Sequence, residues 1–329
     1  MVGGTRNLGH DLVLALRAAG HRVVVVNRGH TPDELPRDVE RRVADRTEPA
    51  ALSAAFSGLA PDAVVDTTLY TGAEAAAVVR LLAGRVGRYV WLSSGQVYLV
   101  RPGLPRPFRE DDYDGPVMPE PARDGPDWRD WRYGVEKRAA EDVFRAAWTA
   151  ERFPVTTLRL PMVNSRRDHF RRLARYVRRL RDGGPILVPD EPGHRLRHVD
   201  GDDVVAAVLD LLASGRGAGR DYNLSQDETV TLDEFLATVA AFVGVPLRTH
   251  AVPRRRLVES GLLLACSPFS DPWMSELDNR RSRTELDLRY TPLATTLERL
   301  IRHLQAHPGS DRGDDDARAA ELRFVAASA

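Results

Sequence analysis

Residues 3–9 read GGTRNLG, and they run straight into HDLVLALRAAG (10–20) and HRVVVVNRG (21–29). A glycine-rich turn that opens a helix and is followed by an apolar strand begins a dinucleotide-binding βαβ unit. Backbone N–H groups of such a turn, with the positive end of the helix dipole, converge on a pyrophosphate. Gly3 permits the tight turn, Gly9 lets the helix approach the sheet, and Thr5, Asn7 and Leu8 complete the cradle. Arg6 stands where the usual G-x-x-G-x-x-G spacing has its middle glycine. About twenty residues on, an NAD enzyme places a carboxylate against the ribose 2′-hydroxyl. Here the strand ends in Asn27, Arg28 and Gly29. A guanidinium fork suits a phosphate, so Arg28, with Arg6, is expected to pair with the 2′-phosphate of NADP, and NAD is the less expected cofactor.

Outward from this turn, the pattern predicts helices over 10–19, 50–56, 73–82 and 133–150, and strands over 21–26, 63–67, 88–92 and 155–160. Strands alternating with helices at this spacing give an α/β fold, a Rossmann doubly wound parallel sheet of order 3-2-1-4-5-6. Residues 1–165 are expected to form the dinucleotide-binding domain, completed by about 197–225. The remainder of 166–308 is expected to form mainly a smaller C-terminal substrate lobe, with helices over 169–181 and 232–243. The stretch 101–127, broken by prolines and acidic residues, reads as a functional loop. Residues 309–329 start polar and acidic and read as a mobile tail. Only Met1 and Val2 precede the glycine turn, although a strand usually has about five or six residues. The central strand would then lack partners, so an apolar run upstream is expected; the alternative is that the stub pairs through its backbone alone.

The chain has 329 residues, 43% of them hydrophobic, enough for one large α/β core and a smaller lobe. Its 47 basic and 47 acidic residues cancel, which removes the positive field of a protein held on phosphate backbones. Nucleic acid is therefore not an expected partner, and the arginine-heavy stretch 171–181 reads as a solvated helix face. No run is long and apolar enough to span a bilayer and no signal-peptide pattern opens the chain, so a cytoplasmic protein without membrane contact is expected. Cys266, the single cysteine, has no partner for an internal disulfide or thiolate cluster, and no metal site is expected.

The strand RYVWL (88–92) delivers Ser93 and Ser94 at its carboxyl end, the edge where open α/β sheets place ligands. YGVEK (133–137) puts Tyr133 and Lys137 one turn apart on one helix face. Lys137 is the only lysine; every other basic residue is arginine. So thorough a replacement spares a lysine where a guanidinium cannot do the work, and a compact ammonium keeps donors for the cofactor ribose. A tyrosine of pKa about 10 is only about one part in a thousand ionised at pH 7, and a cation about 4 Å away supplies roughly the 4 kcal/mol that makes it a usable base. Ser94, Tyr133 and Lys137 are thus the expected catalytic set, with Ser94 on the substrate oxygen.

With these motifs in place, the chain resembles the extended short-chain dehydrogenase/reductase family, the NAD(P)-dependent epimerases and dehydratases of nucleotide sugars. The resemblance runs from Met1 to about Leu304 through GGTRNLG, VVVVNRG, VADRTEP, AVVDTT, WLSSGQVY, YGVEK, LRLP, RHVDGDDVVAAV and DYNLSQDETVTLDEF. It implies that Ser94, Tyr133 and Lys137 are the family's hydroxyl, base and lysine. It further implies that Asp45 and Arg46 lie beside adenine, that Thr67 and Thr68 border the cofactor, and that Pro161 and Met162 lie beside the nicotinamide. The implied function is hydride transfer on a sugar nucleotide or related polar metabolite, as an epimerase, dehydratase or reductase. The expected partners are that small-molecule substrate and a second copy of the chain in a homodimer. Arg6 makes the turn resemble an atypical branch that includes plastid RNA-binding relatives, so the alternative is a non-catalytic nucleotide-binding relative with an RNA-binding or regulatory role. The stretch 101–131 and the C-terminal lobe are expected to set specificity, with Trp128, Trp131, Arg166, His169 and Trp273 as lining residues.

Overall fold

The structure, a computed structural model, describes residues 1–191, 193–307 and 315–328. Four parallel strands follow the expected alternation, β1 (Val24–Asn27), β3 (Ala63–Asp66), β4 (Arg88–Ser94) and β5 (Val155–Leu160), and a fifth that was not expected, β2 (Glu40–Val43), lies between β1 and β3 in the chain. A later strand, Arg220–Asn223, pairs with β5. β1 pairs with β2, and β3, β4 and β5 pair in order. Val2 joins the two groups, bridging Val26 on one side and Asp66 on the other. The sheet therefore runs β2, β1, Val2, β3, β4, β5, Arg220–Asn223, which is the doubly wound order with the stub at its centre. Val2 N donates to Val65 O at 2.9 Å and Thr67 N to Val2 O at 3.1 Å. On the other edge Val26 N donates to Met1 O at 2.8 Å and Gly3 N to Val26 O at 2.9 Å. The stub thus pairs on both edges through its backbone.

Helices cover both faces, as a parallel sheet buried on both sides requires. On one face α1 (Asn7–Ala18) and the helix Gly201–Ser214 pack Leu12, Val13, Val204 and Val208 onto Val25, Val90 and Leu158. On the other, α2 (Pro49–Ala55), α3 (Gly72–Leu82) and the long helix Trp128–Glu151 pack Leu52, Val78 and Phe144 onto Val64, Tyr89 and Trp91. A short helix α4 (Gln96–Leu99) follows β4, and Trp128–Glu151 is designated α5. The lobe has its own core, in which Tyr176, Val177, Phe235, Leu236, Phe269 and Leu297 are buried. Its helix Leu232–Val243 has the expected bounds, set by a Thr231/Glu234 capping box and by Gly244 in the left-handed region. No helix among the described residues is long and apolar enough to cross a membrane.

Two expectations need correction. α5 begins at Trp128, five residues before Tyr133, so the tyrosine sits within the helix instead of opening it. The tail is also not mobile throughout: residues 309–314 lie outside the described residues, but Asp315–Ser328 is a helix docked on the lobe. Arg179 Nε donates to Glu321 Oε2 at 2.8 Å with both side chains fully buried, and Glu321 Oε1 accepts from Leu187 N. Ala320, Phe324 and Val325 supply an apolar face. Arg179 accordingly leaves the solvated helix face on which the arginine run was expected.

Candidate active site

The carboxyl ends of the central strands open into a cleft of about 720 Å³. Its walls contain Gly3, Thr5, Arg6, Asn7, Leu8 and Gly9 from the first turn, Asn27 and Arg28 after β1, and Asp45 and Arg46 after β2. Thr67 and Thr68 after β3, Ser94 at the end of β4, Tyr133 and Lys137 on α5, and Pro161 after β5 complete it. Met162 does not line the cleft; the chain turns there and its side chain packs against the lobe core.

The first turn is as tight as its glycines imply. Gly3 has φ +88°, and a Cβ there would lie 2.4 Å from Thr67 Oγ1 and 2.7 Å from Thr68 Cγ2. A Cβ at Gly9 would stand 3.0 Å from Gly4 Cα, which is the close approach of helix and turn. Arg6 is exposed and its Nη2 reaches Thr31 Oγ1 at 2.5 Å, so it lies over the end of β1 near exposed Arg28. Arg46 Nη1 donates to both oxygens of buried Asp66, at 2.7 and 2.8 Å, and to Thr68 Oγ1 at 3.1 Å. Burial opposes the charge of Arg46, but Asp66, Tyr89 and Glu74 together outweigh it and hold the guanidinium above its usual range. Its Nε and Nη2 are buried without a hydrogen-bond partner at the wall of the cleft. Unmatched buried donors and a turn that any Cβ would close fit a polar, phosphate-bearing dinucleotide.

At the other end of the cleft, β4 places Ser94, whose Oγ accepts from Gln96 N at 3.2 Å. Lys137 is 2% exposed. Its Nζ donates to Leu69 O at 2.7 Å and Leu92 O at 3.1 Å, and lies 4.8 Å from the ring centres of both Tyr70 and Trp91. Burial pushes its pKa down to about 7, against the upward pull of Asp66 and Glu141. The centre of the Tyr133 ring is 5.8 Å from Nζ. Burial raises the Tyr133 hydroxyl well above its ordinary value; the Ser94 hydroxyl pulls it down, while Tyr70 and Asp130 push it up. The sequence led us to expect a tyrosine acidified by its lysine, and here burial is the largest influence and raises it instead.

One turn before Tyr133, the Asp130 carboxyl is pushed up to about 6 by burial and by Asp271 and Asp127. Gln96 Nε2 donates to Asp130 Oδ1 at 3.3 Å, which ties this carboxyl to the segment after Ser94. The three tryptophans act as staples: Trp128 Nε1 donates to Glu120, Trp131 Nε1 to Met118 O and Trp273 Nε1 to Asp127. They bind the loop before α5 to that helix and to the lobe. His169 lines the cleft, whereas Arg166 faces Asp202.

Beneath the site, Arg159 and Glu141 form a fully buried pair, and Glu141 Oε1 also accepts from Ser93 Oγ at 2.6 Å. Tyr70, Glu74 and Asp66 escaped the sequence reading. T-G-A-E at 71–74 did carry a capping-box signal, and Glu74 does cap α3 while approaching Arg46 Nε at 3.7 Å. Among the described residues no group of three or more His, Cys, Asp or Glu could hold a metal ion.

Known proteins share this fold. A family model described as the NAD dependent epimerase/dehydratase family matches residues 1–225. The chain is 32% identical over 257 residues to a 2′-dehydrokanamycin reductase of Streptomyces kanamyceticus, covering 77% of this chain and 68% of that protein. Among solved structures, a UDP-glucose 4-epimerase of Thermotoga maritima with UDP-glucose superposes with a TM-score of 0.74 at 17% identity, over 93% of this chain and 97% of that one. A dTDP-glucose 4,6-dehydratase of Bacillus anthracis in complex with NAD gives 0.73 at 13% identity, over 93% and 96%.

Proposed function

The chain belongs to the NAD-dependent epimerase/dehydratase family and is an NAD(P)-dependent enzyme, and from that premise we propose that it transfers hydride between NADP and a carbon of a sugar nucleotide or related polar metabolite, with Tyr133 as acid/base. The observation that carries this reading is the placement of Ser94, Tyr133 and Lys137 on one wall of the cleft whose other end is the glycine turn. Bound NADPH supplies the hydride. Ser94 hydrogen-bonds the substrate oxygen, and Tyr133, kept protonated by burial, gives its proton to that oxygen as negative charge develops there. An ammonium has three N–H donors. Two of those on Lys137 are spent on Leu69 and Leu92, so the third is the one left for a ribose hydroxyl or for the tyrosine. Ser94 is held for its role by the start of α4, and the floor under it by Glu141 and Arg159.

A tyrosine that rests protonated favours the reductive direction, and the reductase of Streptomyces kanamyceticus supports the same direction. Arg28 and Arg6, with no carboxylate at 27–29, support NADP over NAD. Asp127, Asp130 and Asp271 crowd the Tyr133 end and disfavour a diphosphate at that point. This favours, as a second reading of the substrate, a neutral or cationic polar carbohydrate. The test is to incubate the purified protein with NADPH and a panel of keto sugars, free and nucleotide-linked, with 2′-dehydrokanamycin among them. The expected result is loss of reduced-nicotinamide absorbance matched by an alcohol product. Failure to bind either NADPH or NADH in calorimetry would overturn the reading.

A further inference from the structure

We propose that Tyr70 is a positioning residue whose ring forms the removable wall of a cage that keeps the Lys137 ammonium away from water and aimed at the cofactor. The cage has four other sides. Trp91 is fully buried, its ring centre 4.8 Å from Nζ, and its Nε1 donates to Leu69 O, the same carbonyl that takes the lysine. Leu92 O lies 3.1 Å away, and the Tyr133 ring centre 5.8 Å. Tyr70 closes the fifth side at 4.8 Å, with its own ring centre 5.9 Å from that of Tyr133. It is also the most exposed of these walls, at 47%, and it lines the cleft together with Tyr133. Its place is fixed from behind: Tyr70 N donates to Glu74 Oε2 at 2.6 Å, and the Thr71/Glu74 capping box anchors the start of α3.

The charged groups that reach Lys137 are Asp66 at the end of β3, Glu74 on α3, Glu141 on its own helix and Arg46 after β2, with the tyrosine hydroxyls of Tyr70 and Tyr133 nearby. The carboxylates favour the charged lysine, yet its pKa is driven down to about 7, so exclusion of water is the dominant effect. Removing the Tyr70 ring has two opposed consequences. The lost cation–π attraction would lower the titration midpoint by about one unit. Readmitted water would raise it, and full burial of a lysine is worth about 3–5 units. Hydration prevails, and the midpoint moves up. A guanidinium is planar and larger, which gives a reason beyond hydrogen bonding for the chain's single lysine to stand here.

This proposal rests on the reading of Lys137 as the cofactor-facing lysine, but its test does not need turnover. Because the chain has one lysine, protein labelled with 13C-lysine gives one side-chain ε-methylene signal, whose pH titration by NMR reports Lys137 alone. In Tyr70→Ala the midpoint is expected to rise by about 1–3 units. In Tyr70→Phe, which keeps the ring, it is expected to stay within about half a unit. NADPH affinity, followed by calorimetry against pH, is expected to weaken at correspondingly higher pH in Tyr70→Ala. A midpoint in the alanine variant that stays put or falls, with a thermal midpoint showing the protein folded, overturns the cage. A midpoint that rises while the pH dependence of NADPH affinity does not follow leaves the cage standing. That outcome overturns both the positioning role and the cofactor-facing assignment of Lys137.

Discussion

Replacing Glu141 by glutamine removes one charge from the pair under β4 and should be among the costlier single-atom changes in the molecule. Arg159 Nε lies 3.1 Å from each carboxylate oxygen of Glu141, its Nη2 lies 2.5 Å from Oε2, and neither side chain is exposed. Losing one partner of a buried pair costs about 3–5 kcal/mol, because the remaining charge stays out of water. Asp221 still holds Arg159 Nη2 at 3.0 Å and Tyr98 still accepts from Nη1 at 2.6 Å, so the lower end, about 3 kcal/mol, applies here. For a chain of this size that corresponds to a fall of roughly 4 °C in thermal midpoint. The contrast is Asp114→Asn, which breaks the 3.3 Å pair with Arg145 where Asp114 is 87% exposed. An exposed pair is worth about 0–1 kcal/mol. Urea unfolding of both variants supplies the measurement. A loss under about 1 kcal/mol for Glu141→Gln, or no difference between the two variants, refutes the claim that this network fixes the floor of the site.

The Arg28→Ala variant should bind NADPH about ten- to a hundredfold more weakly while NADH affinity holds, since one charge-assisted phosphate contact is worth about 1.5–3 kcal/mol. Equal losses in titrations with both cofactors would show that Arg28 does not read the 2′-phosphate. His198 concerns pH: burial, then Arg172 and His194, hold its pKa down at about 3 against an ordinary 6.5. The unfolded chain takes up a proton near 6.5 that the folded one refuses, so stability falls as pH drops from 6.5 towards 3. By about pH 4.5 the loss is about 2–3 kcal/mol. His198→Gln, which retains an acceptor for Asn164, should therefore lose less stability between about pH 7 and 4.5 in denaturant titrations. An unchanged acid sensitivity would exclude His198 as its source.

The glycine turn, the strand ends and YGVEK were legible because each is local chemistry: a turn needs its glycines, and two residues four apart share a helix face. What escaped depended on neighbours distant in sequence. β2 was missed because ERRV carries three charges, although on an edge strand Glu40 and Arg42 can answer one another across the surface. Tyr70 looked like a loop residue, since nothing around it announces a lysine 67 positions later in the chain. The pKa of Tyr133 went the opposite way because sequence supplies the identity of a nearby cation but not how deeply the tyrosine is buried. The C-terminal helix was hidden behind the acidic run that precedes it, and its docking depends on Glu321 meeting Arg179, which lies 142 residues earlier. Val2 shows the reverse case, in which a residue pairs with strands on both sides because backbone pairing requires no side-chain signal.

The central claim is that Tyr133 protonates a substrate oxygen while hydride is delivered to the adjoining carbon. Its most direct measurement is single-turnover reduction of a ketone accepted by the wild-type protein, using NADPH deuterated at the transferred position, for wild type and Tyr133→Phe side by side. The account predicts one deuterium on the alcohol carbon of the wild-type product, and less than about a tenth of the wild-type rate in the phenylalanine variant with NADPH affinity little changed. Deuterium missing from the product, or a phenylalanine variant that keeps most of the rate, would contradict it.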